Sequence, residues 1–388
     1  MAMKIEQESA TAQQVSGKDP AGQWILSVLV KRAYTISDEG ECLVAKMQSP
    51  LRDEPEFDPD EPALMRHDTD LFPFKPRTDV VVKGHVHCHD GRRQLEAVVR
   101  VGAASKHISV FGDRHCKRTA DGKIAISTPE PITRIPLCYT RAYGGRDSVA
   151  EAAALEQFIG QVPNFDPELL FIKEGSPFLY PRNPCGRGYL ISATSKALDA
   201  LHLPNLEDPL DLLTSERLEA GSPSLWPRMP LPQATDWVAY DWFPRIAGMG
   251  IVPPYSRMEQ PFAEVNRNYV QENVLKPAGL EAADAFHLTC GASLGLQLPY
   301  LQGGEPVLLQ NIHPGQATFN FRLPVERPKI WTDGRKGKLN ETQPVIHTLV
   351  LEPEASRLSV LWRGSAPALR PYLQDELQKM PFRVEWRQ

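Results

Sequence analysis

Short apolar runs set off by turn residues recur along the chain, and they read as strands rather than helices. Trp24-Ile-Leu-Ser-Val-Leu-Val predicts a buried strand, and Asp38-Glu-Gly-Glu the turn to its partner. The run Asp79-Val-Val-Val-Lys-Gly-His-Val-His-Cys-His leads into Asp90-Gly91, residues that tolerate the positive φ of a tight turn. That pattern predicts a hairpin with residues 95–102, followed by strands over 106–111 and, after Asp121-Gly122, over 123–127. The β pattern resumes over 307–310, 318–323, 346–351 and 357–362, with the last two joined across Glu352-Pro-Glu-Ala-Ser. Helical signals are sparse. Ser148-Val-Ala-Glu151 fits a capping box for a helix continuing over 152–159, and Pro371 suits the start of a short helix carrying Leu373, Leu377 and Met380. The expected fold is mainly β, built as antiparallel sandwich or barrel-like lobes with a few short helices and long proline-rich loops.

Composition sharpens that picture. Proline accounts for 36 of 388 residues, about 9% against a typical ~5%, which disfavours long helices and favours strands joined by shaped loops. Residues 48–74 combine repeated prolines with many Asp and Glu residues and predict an exposed acidic loop. Residues 174–250 are again proline-rich and carry Trp226, Trp237 and Trp242. A flexible tail is expected over 1–20, then a β-rich region over 21–388. That region divides into an N-terminal lobe over 21–145 and a C-terminal lobe over 183–388, joined by the helix-containing segment 146–182. A net charge of −5 argues against a dedicated nucleic-acid binder. The N-terminus lacks the apolar core of a signal peptide, and no run reaches the ~20 apolar residues of a membrane helix. Six scattered cysteines without a C-x-x-C pair read as free thiols in a reducing compartment. The expected location is cytoplasmic.

Three places could carry chemistry. Gly291-Ala-Ser293-Leu-Gly295 matches the nucleophile-elbow spacing, but Pro299 and Gly303-Gly304 leave no room for the helix such a turn needs. His85, His87 and His89 share one strand face, where two could hold an ion, although Lys83 on that face would repel it; an exposed histidine strip is the expectation. Asp113-Arg114, and Arg141-Ala-Tyr143-Gly144-Gly145-Arg-Asp147, combine guanidiniums with glycines that allow close backbone approach. They suit either an anion or peptide-carboxylate corner or a salt-bridge network pinning the strands; the second is favoured. Asn183-Pro-Cys-Gly186-Arg-Gly188 carries the same ambiguity, and Glu207-Asp208 reads as a solvated pair in a loop. No dinucleotide fingerprint, phosphate loop or H-E-x-x-H occurs. No catalytic residue, metal or cofactor is expected.

The ordered blocks TDVVVKG, VFGDR, IPL…RAYGG, NPCGRG, LPNLED and GGEPVLLQNIHP…FRLP resemble the DUF2169 family of bacterial proteins, from about residue 24 to about 362. Departures are His115 after Arg114, where an aromatic residue is usual, Tyr143 in place of the commoner Phe, and a divergent stretch over 226–292. Members of that family are associated with type VI secretion loci, beside spike-tip PAAR proteins and toxic effectors. The resemblance therefore implies a non-enzymatic adaptor or chaperone that binds an effector or the PAAR protein and assists its loading. The block residues singled out for binding are Asp79, Lys83, Asp113, Arg114, Arg141, Tyr143, Gly144, Gly145, Asn183, Gly186, Gly188, Asn205 and Glu207. The alternative is a hydrolase using Ser293 or a metal held by His85 and His87.

Overall fold

The 13-residue strand Trp24–Ile36 is the spine of the molecule, almost wholly buried along its length. Its β-branched and aromatic residues suit a pleated surface packed on both sides. In the computed structural model, residues 10–19, 21–159, 178–219, 229–239, 242, 245, 289–334 and 337–386 are described. Across the large sheet the order is Thr11–Lys18, Trp24–Ile36, Arg357–Pro367, Val345–Glu352, Thr78–Val82 and Gln297–Leu298, with Cys42–Val44 also pairing Trp24–Ile36. A second sheet runs Leu206–Glu207, Ala104–Phe111, Gln94–Val101, Pro306–Gln310 and Thr318–Arg322, antiparallel throughout. A third sheet joins Asn340–Glu341, Pro328–Thr332 and Phe382–Trp386. The protein is mainly β with a few short helices, as the pattern predicts.

Each large sheet interleaves strands from both ends of the chain. One apolar core extends from Ala10 to Trp362 and takes Val28, Val81, Val99, Val307 and Leu349 from both sheets. The proposed division into lobes over 21–145 and 183–388 therefore does not describe this packing. A smaller cluster around Tyr143, Tyr180, Tyr189, Leu198 and Leu213 packs with the helices Ser148–Ile159, Ser195–Asp199 and Ser215–Glu219.

Several local expectations are corrected. Part of the expected flexible tail is the edge strand Thr11–Lys18, in register with residues 24–31. The run from Asp79 is two strands in different sheets. Thr78–Val82 pairs in parallel with Val345–Glu352, while His85–His87 pairs with Arg134–Pro136. The chain leaves the large sheet at Gly84, after Lys83 N–H donates the last ladder bond to Leu351 O. The predicted hairpin across Asp90-Gly91 is thus absent, and Gln94–Val101 turns at Gly102 to pair Ala104–Phe111 instead. The unbroken Val-Val-Val is the signature of a strand buried on both faces between a parallel and an antiparallel neighbour. The turn at Asp121-Gly122 does form, joining Cys116–Arg118 to Ile124–Ile126.

The helix Ser148–Ile159 is capped by Asp147, whose Oδ1 accepts from Ala150 N, while Glu151 pairs with Arg146. The capping box therefore shifts by one residue and loses its reciprocal bond. The acidic loop is not merely solvated: Asp70 meets Lys31 at 2.7 Å and Asp68 meets Arg245 at 2.7 Å, both buried. Trp237 and Trp242 are buried in the core, and Trp226 lies outside the described residues.

Candidate functional site

All of the singled-out motif residues except Asp79 and Lys83 gather around one crossing, where the turn after Tyr139–Arg141 meets the Asn183–Gly188 loop. Asn183 is its hub. Its Nδ2 donates to Tyr139 O (2.8 Å) and Tyr143 O (3.0 Å), and its carbonyl accepts from Gly145 N (2.8 Å) and Gly186 N (3.4 Å). Tyr143–Gly144 and Arg187–Gly188 then pair in parallel. The backbones come so close that a Cβ on Gly144 would lie against the Asn183 carbonyl, well inside 3.0 Å, and one on Gly145 against the Gly186 carbonyl. Both glycines also have positive φ (144° and 96°), which side chains rarely adopt. Gly186 approaches the Asn183 amide as closely, and Gly188 packs on Pro204 and Tyr143. Tyr143 is buried edge-on against Tyr180, ring centroids 5.0 Å apart.

The LPNLED block docks onto the same crossing. Asn205 donates its side-chain amide to Phe111 O (3.1 Å) and Asp113 Oδ1 (2.9 Å), and its N–H to Arg141 O (2.8 Å). Arg114 is buried, stacked on the Phe111 ring at 4.1 Å, and hydrogen-bonded to Pro204 O and Glu207 Oε1. Glu207 Oε2 accepts from Leu213 N at 2.7 Å. Glu207 is therefore no solvated acid; it neutralises a buried guanidinium.

A solvent-facing corner remains beside this frame. Arg141 lies 3.8 Å from Asp113 and 3.4 Å from Asn205 Oδ1. Arg187 sits beside it, its Nε donating to Thr140 O at 3.0 Å. Asn205, then Arg141, Arg187 and His115, hold the Asp113 carboxyl below its ordinary range. Burial, then Arg141, pushes the Arg187 guanidinium below its usual value, only partly offset by Asp113 and Cys138. Arg187 was not singled out from the sequence, although its place between two glycines in NPCGRG was a usable signal.

Asp79 and Lys83 lie away from this corner. Asp79 is sealed in the large sheet, paired with Lys75 at 2.6 Å and accepting from Gly291 N (2.8 Å) and Ala292 N (3.2 Å). Lys83 Nζ donates to Arg66 O at 2.6 Å and lies 3.1 Å from His67 Nε2; burial, then Lys83, pushes the His67 imidazole down to about 3.

The alternative chemistries are also placed. Ser293 is 1% exposed, and no helix follows it: the next element is the strand Gln297–Leu298. Its Oγ lies 3.1 Å from Lys106 Nζ, which also donates to Gln233 Oε1 (2.8 Å) and Leu294 O (2.6 Å). Burial pushes Lys106 down to about 8. His85 Nδ1 and His87 Nε2 both approach Glu354 Oε1, at 2.8 and 2.9 Å, while Arg134 takes Glu354 Oε2 at 2.7 Å. The two histidines are thus half-buried partners of a carboxylate whose charge Arg134 already meets.

No helix among the described residues is long and apolar enough to cross a membrane. All six cysteines are free thiols. No curated protein and no solved structure matches the chain. One family does: the bacterial family described as "Uncharacterized protein conserved in bacteria (DUF2169)" matches residues 21–363, a span that contains every one of the blocks above, and the chain belongs to that family.

Proposed function

We propose that this protein is a non-catalytic adaptor or chaperone that binds a type VI secretion effector or its PAAR spike-tip partner and assists loading. The observation that carries this reading is the fate of the motif residues. Asp79, Arg114, Asn183, Asn205 and Glu207 are buried and hydrogen-bond to neighbouring side chains and to backbone. Such a network stiffens a scaffold and presents no reactive group. A scaffold ordered before binding loses little entropy when a partner docks. Its type VI role rests on the family resemblance. The test is co-purification with effectors and PAAR proteins encoded beside it, together with secretion after its deletion. Unchanged effector stability and export in the deletion strain would sink the reading.

A hydrolase using Ser293 has one observation in its favour, the lysine 3.1 Å from the hydroxyl with its basicity lowered by burial. A serine–lysine pair can serve as nucleophile and base. Against it, Lys106 Nζ also donates to Gln233 and Leu294, which suits a structural ammonium with three donors. Labelling of Ser293 by a fluorophosphonate probe, abolished in Ser293→Ala, would favour the enzyme.

A further inference from the structure

We propose that Arg141 and Arg187 form an oxyanion seat that receives a carboxylate from a polypeptide partner. This rests on the adaptor reading and specifies one contact of it.

The charges at the corner do not balance. Among the described residues two guanidiniums face a single carboxylate, Asp113, and that carboxylate is already committed to the Asn205 amide at 2.9 Å. Its 3.8 Å separation from Arg141 is too long for a hydrogen bond. The Arg187 side chain donates through Nε, to Thr140 O; neither terminal nitrogen has a hydrogen-bond partner among the described residues. Arg141 uses one terminal nitrogen, weakly, on Asn205 Oδ1. Both side chains are partly exposed. Like charges held together normally recruit a counter-charge, and a guanidinium's paired terminal donors match the two oxygens of a carboxylate.

The frame explains why the two arginines cannot drift apart. Arg187 N donates to Ala142 O at 2.9 Å, and Arg141 O accepts from Asn205 N at 2.8 Å. Gly144, Gly145 and Gly186 let the strands approach closely enough to set this spacing. By contrast Arg114, the other arginine of the motif set, has its counter-charge in Glu207 and takes no part. A partner's Asp or Glu side chain, or its C-terminal carboxylate, would complete the missing pair.

The probe is a blocked hexaglutamate peptide, titrated calorimetrically into the full-length protein at low salt, with blocked hexaglutamine and inorganic phosphate alongside. We expect saturable hexaglutamate binding, none for hexaglutamine, and a loss of about tenfold in Arg187→Gln and in Arg141→Gln. Arg187→Lys keeps the charge but not the fork and should fall in between. Arg100→Gln removes the same charge from an exposed strand position and should leave affinity unchanged. Thermal melts of the four variants check that each is folded. Equal losses in Arg100→Gln and Arg187→Gln would reduce the effect to net charge and overturn the seat. Phosphate binding without competition from hexaglutamate would overturn the carboxylate assignment. Intact peptide binding without effector capture would sink the adaptor reading alone, and capture that survives Arg187→Gln would sink the seat alone.

Discussion

Lys75 Nζ and Asp79 Oδ2 lie 2.6 Å apart with side chains 1% and 0% exposed. The pair does more than cancel charge. The same carboxylate accepts from Gly291 and Ala292, so it ties the segment before Ser293 to the buried strand Thr78–Val82. Lys75 also lies 5.1 Å from the Phe72 ring centroid and 5.5 Å from that of Trp237. A charge held this deep depends on every partner being present.

Removing the carboxylate should therefore be costly. Asp79→Ala leaves an unpaired buried ammonium and two orphaned amides, and should lower stability by about 3–5 kcal/mol. Arg100→Ala, at an exposed position, should stay within ~0.5 kcal/mol. Urea midpoints of the two variants decide it; similar midpoints would refute the account.

The glycine crossing predicts a steric contrast. Gly144→Ala meets both a disfavoured φ and the Asn183 carbonyl, and should destabilise by more than ~2 kcal/mol. Gly91→Ala, with positive φ but open space around it, should cost about 1–2 kcal/mol. Denaturant titration of both measures the steric part as the difference.

Lys106 predicts a pH dependence at the alkaline end. Burial sets its folded value at about 8, against an ordinary 10.5, with Asp208 opposing. Between those values the unfolded chain holds the proton and the folded chain does not, so this group makes stability rise as pH goes from about 8 to 10.5. The rise is on the order of 3 kcal/mol. Subtracting the Lys106→Met stability curve from that of the parent protein isolates it, and a flat difference over that window would rule it out.

Asp236 predicts the opposite trend in acid. Burial raises its carboxyl to about 6 from 3.8, with Lys83 and the Trp237 N–H opposing. Here the folded chain holds the proton longer, so its stabilising contribution is complete below about pH 3.8 and lost as pH rises through 6. Asp236→Asn should abolish that loss and be more stable than the parent at pH 7. Thermal unfolding of both proteins at pH 4 and pH 7 is the check.

Some of this was legible in the residues alone. Apolar runs with Asp-Gly punctuation and abundant proline specify strands and turns through local backbone preference. The turn at Asp121-Gly122 and the hairpin over residues 345–367 form where the pattern places them. Residues of two separate motif blocks also come together in space, since Gly144, Gly145 and Asn183 meet as a unit.

Partner choice was not legible, because a strand's own pattern does not say which edge it will join. Thr78–Val82 takes a neighbour some 270 residues away along the chain, in parallel, and thereby splits what reads as one continuous strand. Burial of charge was equally hidden. Arg114 and Glu207, or Asp68 and Arg245, look like surface residues until the fold seals them against each other. Local preferences act over a few residues and survive in the sequence; Coulombic pairing and desolvation depend on distances that exist only once the chain has folded. That is why the strands could be read in advance, while the charge left over beside Arg187 emerged only in three dimensions.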